Sequence, residues 1–427
     1  MSVPRVHMTL GWRMVLAAST ASAAGCFGDT AARETSWHGT IDTLDTGTLI
    51  VRNPDAGVWD SITAWRLEED LLIGSLEGSG PEAFGEIAAL DVDRHGRIYV
   101  LERQAQEIRV FDSAGTYLRT IGAEGEGPGE LTGAFGLAVD GFDRLWVPDA
   151  GNARITVFDS AGLVAADHQR SLGVVNPFIG GVDTSGTYWD VAPYFDDPRV
   201  HFYFVQLDSI TGVFDSVPPV VYTPIVERVP RSVFLLRPRL TLEFDPSGYI
   251  WFGSTGDSRL IQRSLLGDTV RIIEWNSRRV PVSPAEREVI HAEMQELPFP
   301  VDPALIPALK PAFNRIVIGD EGHIFVSVPG TAGEEGKLVD VFRPDGLYLG
   351  RLTSPVALEW MIPPRFTASH MLGVTLDELG VAYVVRCRIV SLDSGVDDAP
   401  QGMRPNRRLQ LAWWGRESKT SNPVARS

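Results

Sequence analysis

The chain has 427 residues, of which 44% are hydrophobic and 22% charged, and it contains 42 glycines and 29 prolines. This composition is typical of a turn-rich globular protein, and it excludes a disordered or collagen-like chain. The formal net charge of −17 disfavours nucleic acid and anionic membrane surfaces as partners, while it is compatible with cations, basic proteins or simple solubility.

Residues 1–25 have the pattern of an export signal, because a basic start is followed by an apolar stretch too short to span a bilayer as a mature helix. The small residues Ala-Ala-Gly before Cys26 resemble the lipobox of bacterial lipoproteins, in which the cysteine is acylated and becomes the first residue. The resemblance implies a membrane-anchored lipoprotein that faces the periplasm or the cell exterior. Phe27 after the cysteine favours the outer membrane, and ordinary secretion with an unlipidated Cys26 is the alternative.

Residues 26–45 are predicted to form a tether, after which one repeat recurs six times. Each copy is an apolar strand that ends in aspartate, two turn residues, glycine or a substitute, and an alternating strand with aromatic residues. The copies centre on 93–100, 140–147, 183–186, 245–248, 320–322 and 377–380.

A second hairpin follows the repeat in most copies, as at 108–112 with its turn at Gly115. Two hairpins make a four-stranded blade, so the sequence predicts an all-β fold, a six-bladed β-propeller of antiparallel blades over residues 46–415. Ring closure requires that the chain ends pair. We expect the stretch 47–51 to pair with strands near 382–385 and 409–413.

The repeats in the first two blades resemble those of the NHL-repeat family of propellers. The resemblance lies in the run GEGPGEL at 125–131, in DAGNARI at 149–155 and in the Phe158-Asp159 pair that follows. It is partial in blade five, and blades three, four and six depart from it through insertions.

One insertion, at about 283–311, is predicted to contain a short helix, because Ser283 suits the cap, Pro284 the first turn and Glu286 the third position of a capping box. A proline-rich return to blade five follows. Residues 416–427 are predicted to form a polar tail.

The sequence contains none of the HExxH, Gly-x-Ser-x-Gly, Walker or CxxC motifs. Function in a propeller usually lies on loops that a rigid scaffold supports. The candidates for ligand binding are therefore residues after the second strand of each blade: Glu102, Arg103, Asp149, Asn152, Arg154, Tyr194, Asp196, Asp197, Ser254, Thr255 and Asp257. For Asp149, Asn152 and Arg154 the NHL resemblance implies loop bracing as the alternative role.

No cofactor is predicted, although a calcium or zinc ion on the axis is an alternative that the acidic composition allows. His168, His201 and His370 are the three histidines near loops, and three such residues suffice for a zinc site. The competing interpretation is that each is a separate loop or core histidine. The aromatic residues after the turns, namely Tyr99, Trp146, Trp251 and Phe325, are expected to pack between blades.

The first functional hypothesis is a monomeric, non-enzymatic scaffold in the cell envelope, anchored through acylated Cys26, which binds a protein, peptide or glycan. A metal-dependent enzyme that resembles the lactonase or lyase groups of six-bladed propellers is the second. A structural protein of the envelope is the third.

Overall fold

The fold is given by a computed structural model, which describes residues 37–60, 63–76, 79–207, 214–224 and 229–391. The predicted signal, Cys26 and the tail 416–427 lie outside these residues. Within them, no helix is long and apolar enough to cross a membrane.

Nearly all regular structure is β. The first three strands precede the ring of repeats: β1 (Thr40–Thr43), β2 (Leu49–Arg52) and β3 (Trp65–Ile73). Blade one contains β4 (Ile87–Val92), β5 (Ile98–Glu102), β6 (Glu107–Phe111) and β7 (Tyr117–Ile121). Blade two contains β8 (Ala138–Val139), β9 (Leu145–Asp149), β10 (Arg154–Phe158) and β11 (Val164–Gln169). Blade three contains β12 (Gly181–Val182), β13 (Tyr188–Asp196), β14 (Arg199–Leu207), β15 (Phe214–Ser216) and β16 (Val220–Tyr222).

A short helix, α1 (Arg231–Leu236), leads into blade four, which contains β17 (Leu240–Asp245), β18 (Tyr249–Ser254), β19 (Arg259–Ser264) and β20 (Thr269–Glu274). The helix α2 (Pro284–Glu296) and a 3-10 turn (Pro303–Leu305) follow. Blade five contains β21 (Arg315–Ile318), β22 (Ile324–Ser327), β23 (Leu338–Phe342) and β24 (Tyr348–Thr353). Blade six contains β25 (Arg365–Phe366), β26 (His370–Leu376) and β27 (Ala382–Ser391).

These strands form six separate sheets, and the six-bladed prediction is confirmed. Because side chains alternate along a strand, each blade buries both faces against its neighbours. In β5, for example, Ile98 and Val100 pack toward Val374 of blade six. Tyr99 and Leu101 pack instead against blade two. All five residues of β5 are buried.

The repeat aspartate ties five of the six repeat turns to the core. In blade two, Asp140 Oδ1 accepts hydrogen bonds from the backbone N–H groups of Phe142 and Arg144, both at 2.9 Å, and Oδ2 accepts one from Trp146 Nε1 at 3.0 Å. An aromatic residue six positions after the aspartate makes the same contact at Tyr99, Trp189, Trp251 and Tyr383. The predicted interblade aromatic residues Tyr99, Trp146, Trp251 and Phe325 are at most 5% exposed, which confirms their place in the core.

Blade five replaces this contact. Gly319 occupies the aspartate position, and the residue six positions later is Phe325, which has no polar group. Phe325 instead stacks on Phe366 of blade six, with ring centroids 3.7 Å apart. A Cβ at Gly319 would come within 2.9 Å of Phe325, so the stacked pair leaves no room for the aspartate.

The ring closes by pairing an N-terminal with a C-terminal strand, as predicted, and the predicted C-terminal stretch 382–385 belongs to the closing strand β27, but the predicted N-terminal stretch 47–51 was wrong. The outermost strand of blade six is β3, which pairs antiparallel with β27. The acidic run at 68–70 in β3 hides its strand pattern, and two of these acids pair with arginines across the sheet. Asp70 lies 3.0 Å from Arg386, and Glu68 lies 2.8 Å from Arg388.

The predicted closing stretch 47–51 contributes instead to β2, which pairs in parallel with β20 of blade four. Its hairpin partner β1 lies within the predicted tether. The chain then follows blade five, where Val58 and Trp59 donate backbone hydrogen bonds to Tyr348 and Leu349. Residues 37–73 therefore form an N-terminal strap that contacts blades four, five and six in turn. The other predicted partner, 409–413, lies outside the described residues.

The sixth repeat also differs from its prediction. The first hairpin of blade six turns at Thr367, because Phe366 pairs with Met371 and Thr367 N donates a hydrogen bond to the carbonyl oxygen of His370. The turn at 377–380 therefore joins the second and third strands, at the opposite end of the sheet.

The predicted insertion helix is confirmed as α2. Its capping box is complete, because Glu286 N donates to Ser283 Oγ and Ser283 N donates to the Glu286 carboxylate. Helix α1 was not predicted. Its residue Val233 packs with Ile290 and Met294 of α2.

Candidate functional site

Two faces of the ring follow from the antiparallel order of the strands. Loops between second and third strands and loops between blades lie on one face, here called the upper face. The turns between first and second strands and between third and fourth strands lie on the lower face. All eleven candidate residues lie at or beside upper-face loops in the structure. They therefore share one face of the ring.

In blade one the candidates brace the loop. Glu102 is 1% exposed, and its two carboxylate oxygens accept hydrogen bonds from the backbone N–H groups of Glu86 and Ala105 at 2.7 and 2.6 Å. Arg103 pairs with Glu86 at 3.2 Å. Both carboxylate oxygens of Glu102 are thus occupied, whereas the Arg103 side chain is 50% exposed.

The NHL-like candidates of blade two have the bracing role that the resemblance implied. Asp149 is fully buried and accepts hydrogen bonds from the backbone N–H groups of Thr132, Gly133 and Gly151. Asn152 donates to the carbonyl oxygen of Gly125. Arg154 donates to the carbonyl oxygens of Gly127 and Glu130.

Blade four repeats this pattern in part. Thr255 is fully buried, and its hydroxyl accepts a hydrogen bond from Arg239 N at 3.0 Å. Ser254 Oγ accepts one from Gly256 N at 3.3 Å. Asp257 is exposed, and its carboxylate is the part of this loop that is open to solvent.

The candidates of blade three are different, because here the second and third strands are nine residues long against five in blade one. The extra length forms a blade-three hairpin, residues 192–203, whose outer part pairs with β16. Tyr194 is 59% exposed and Phe195 is 73% exposed. Asp196 and Asp197 are exposed at the tip, where Asp196 pairs with Arg199 at 2.7 Å.

The three candidate histidines lie in different blades, on β11, β14 and β26. His168 stacks on Trp146, and burial lowers its pKa. His201 stacks on Tyr203, whereas His370 lies 3.4 Å from Asp70. Across the described ranges, no group of three or more His, Cys, Asp or Glu side chains is placed to hold a metal ion.

The axis of the ring contains a cavity of about 120 Å³. Three of its lining residues are charged, namely Asp91, Glu243 and Arg365. Each lies two positions before the first turn of its blade, at Asp93, Asp245 and Thr367 respectively. They therefore lie at the same level of three innermost strands.

The charges in this axial cavity are paired with arginines. Arg365 Nε lies 2.8 Å from Asp91 Oδ1, and Arg365 Nη2 lies 2.9 Å from Asp320. Arg315 Nη2 lies 3.9 Å from Glu243 Oε2, too far for a hydrogen bond, and both atoms are buried without a hydrogen-bond partner. Because each axial carboxylate lies beside a guanidinium, the arrangement does not suit a divalent cation.

Burial dominates the titration of these carboxyls. It raises the pKa of Glu243 to about 7, against the opposing attraction of Arg315 and Arg365. Burial also raises the pKa of Asp91, although Arg365 opposes the shift. Sequence reasoning missed all three axial residues, because each comes from a different blade. The available signal was a charged residue two positions before the turn residue in an apolar strand.

A second cavity, of about 450 Å³, lies beside α2. It is lined by the end of this helix and by the proline-rich loop after it, and we call it the insertion groove. Its residues are His291, Met294, Gln295, Leu297, Pro298, Phe299, Pro300, Val301 and Pro303. Its size falls within the range of about 300–1,000 Å³ that is usual for ligand sites, whereas the axial cavity is smaller.

Comparison with known proteins supports the fold. A family model described as a 6-bladed beta-propeller matches residues 75–220. No curated protein matches the chain.

Solved structures similar to the chain include a member of the duf4221 family from Bacteroides vulgatus, with 12% identity, 78% of this chain and 100% of that chain covered, and a TM-score of 0.47. An exported protein from Bacteroides fragilis has 10% identity, coverage of 80% and 99%, and a TM-score of 0.47. Virginiamycin B lyase from Staphylococcus aureus has 9% identity, coverage of 77% and 100%, and a TM-score of 0.41.

Proposed function

We propose that the chain is a lipid-anchored, extracytoplasmic propeller that acts as a binding scaffold without chemistry of its own. Its ligand is a protein of the cell envelope, which contacts the blade-three hairpin. The observation that carries this proposal is the exposure of two adjacent aromatic side chains, Tyr194 and Phe195, on a strand extension that rises from a braced upper face.

The chemistry of the hairpin indicates the kind of partner. Aromatic side chains bring a large contact area with few rotatable bonds, which is why they are frequent at the centres of protein interfaces. Asp196 and Asp197 follow at the tip, and the chain as a whole carries a net charge of −17. An apolar patch bordered by basic residues is therefore the complementary surface.

Membrane attachment through Cys26 rests on the lipobox resemblance alone, and it has a direct test. In a bacterial host grown with labelled palmitate, the wild-type chain should carry the label and fractionate with membranes. A Cys26→Ala variant should carry no label. An unlabelled wild-type chain in the soluble fraction would leave ordinary secretion as the explanation.

The hairpin is tested by placing the photo-crosslinker benzoylphenylalanine at position 194 in living cells. We expect one reproducible crosslinked protein from position 194. Position 266 is the matched control, because Leu266 is 84% exposed in a lower-face turn, and it should not give the same product.

The crosslinked protein is then purified, and the affinities of the wild-type chain and its variants for it test the role of the hairpin. The double variant Tyr194→Ala/Phe195→Ala should bind at least tenfold more weakly, since the loss of one interface aromatic is typically worth about 1–2 kcal/mol or more. Leu266→Ala should bind like the wild type. The proposal fails if positions 194 and 266 crosslink alike or if the double variant binds unchanged.

The metal-dependent enzyme remains the second hypothesis, and elemental analysis of the purified protein separates the two. The arginines beside Asp91 and Glu243 argue against a cation in the axial cavity. A stoichiometric divalent metal, together with a melting temperature that rises when calcium or zinc is added, would favour the enzyme.

A further inference from the structure

The insertion groove has a largely apolar lining, and the chain segment that forms it is acidic in sequence. Met294 is buried, while Leu297, Phe299 and Val301 are half-buried, and three prolines complete the wall. From position 288 to 309 the chain has no lysine or arginine, and its acids are Glu288, Glu293, Glu296 and Asp302. The ligand that fits such a groove has aromatic groups flanked by positive charges.

The chain itself contains a segment with this chemistry. Residues 404–416 have the sequence RPNRRLQLAWWGR, in which four arginines and no acid flank two leucines and two adjacent tryptophans. Tryptophan and arginine are the residues that most often dominate the energy of an interface. Tryptophan rings also pack well on aromatic and apolar surfaces.

Blade six is complete without a strand from this segment. Blade six already has four strands, β25, β26, β27 and β3, all from described residues. The sequence interpretation had assigned 409–413 to that blade, and the pairing of β3 with β27 removes the reason for it. A segment with this much apolar surface needs another surface to cover it.

The segment can reach the groove. Ser391 ends β27, and Trp413 lies 22 positions further along the chain. Extended chain spans about 3.3 Å per residue, or about 70 Å over this length. A compact domain of this size has a diameter of about 50 Å, so the connecting chain is long enough for the segment to reach the groove.

We propose that the insertion groove is a peptide-binding site that holds residues 404–416 of the same chain. Trp413 and Trp414 occupy the apolar part between α2 and the proline-rich loop, and the arginines are attracted by the acids of segment 288–309. An external peptide of the same chemistry has to displace this segment. The proposal uses a surface separate from the blade-three hairpin, and neither proposal depends on the other.

The test uses the full-length protein and a fluorescein-labelled synthetic peptide of residues 404–416. In the double variant Trp413→Ala/Trp414→Ala the groove is open, so the peptide should bind at least tenfold more tightly than it binds the wild type. Binding should weaken as salt rises, because exposed charge pairs are screened.

The groove is identified by further substitutions in the double variant. Leu297→Asp should weaken the peptide at least tenfold. Val289→Asp is the matched control, because Val289 lies on α2 outside the groove and is 61% exposed. If Leu297→Asp lowers the melting temperature, Gln295→Arg serves instead. Gln295 is an exposed residue of the groove. The positive charge that this substitution introduces would repel the arginines of the peptide and weaken binding several-fold.

Three results would overturn the proposal. The first is equal peptide affinity for the wild type and the double variant. The second is peptide binding that the groove substitutions do not change. The third is a wild-type dimer, seen by sedimentation and lost in the double variant, since the segment would then be exchanged between two copies.

Discussion

Asp140 and Asp159 cap two turns of the same blade through the same backbone contacts, yet only one of them reaches the core. Both accept hydrogen bonds from the backbone N–H groups two and four residues later. Asp140 also accepts the buried indole N–H of Trp146. Burial alone would raise the pKa of Asp140, but the hydrogen bonds from Trp146 and Arg144 lower it. These hydrogen bonds therefore stabilise the charged carboxylate.

This pair gives a matched prediction. Asp140→Ala should lower the free energy of unfolding by about 3 kcal/mol, because a buried N–H is left without a partner. Asp159→Ala should lower it by less than about 1 kcal/mol, because water can replace the lost contacts at an exposed turn. Urea unfolding of both variants measures the difference, and equal losses would contradict the anchoring role of Asp140.

The aspartate turns could be predicted from residues because their pattern is local. The axial residues Asp91, Glu243 and Arg365 could not, since only the ring brings blades one, four and six to one axis. The histidine set shows the converse: three residues of suitable type lie in separate blades. Residue type and loop position do not determine spatial proximity.

At the scale of elements, β3 shows where hydrophobic patterning fails. The strand contains Glu68, Glu69 and Asp70 in its middle instead of an alternating pattern, and Glu68 and Asp70 pair with arginines of β27. The predicted strand at 47–51 has the cleaner apolar run, yet β2 is only four residues long, against ten for β27. The nine residues of β3 match the length of β27.

Two leucines of β3 test the closure. Leu67 is 7% exposed and packs with Val385 and Cys387 of β27, so Leu67→Ala should destabilise the protein by about 2–4 kcal/mol. Leu72 is 50% exposed, and Leu72→Ala should change stability by less than about 0.5 kcal/mol. Guanidinium midpoints provide the comparison, and similar shifts in both variants would show that β3 does not close the ring.

At the scale of the whole molecule, the axial cavity links stability to pH. The folded state raises the pKa of Glu243 from 4.5 to about 7. The charged form is therefore disfavoured by folding, and the stabilisation from Glu243 is complete below about pH 4.5 and is lost as pH rises through 7. Between pH 5 and 8 this loss amounts to about 2–3 kcal/mol.

Glu243→Gln should remove this part of the pH dependence, because glutamine stays neutral. The exposed carboxylate of Glu321 provides the control, and Glu321→Gln should keep the wild-type slope. Melting temperatures from pH 5 to 8 compare the three proteins. Parallel curves for the wild type and Glu243→Gln would contradict the burial of this carboxyl.

The N-terminal strap sets the order in which a pull at the start of the described chain would strain its contacts. Such a pull first strains the hairpin of β1 with β2, then the four register pairs between β2 and β20, then the contacts along blade five, and only afterwards the long pairing of β3 with β27. These attachments lie in series, so the weak outer ones should peel away while the ring stays shut. A force that enters at the start of the described chain would therefore reach the closing strands last.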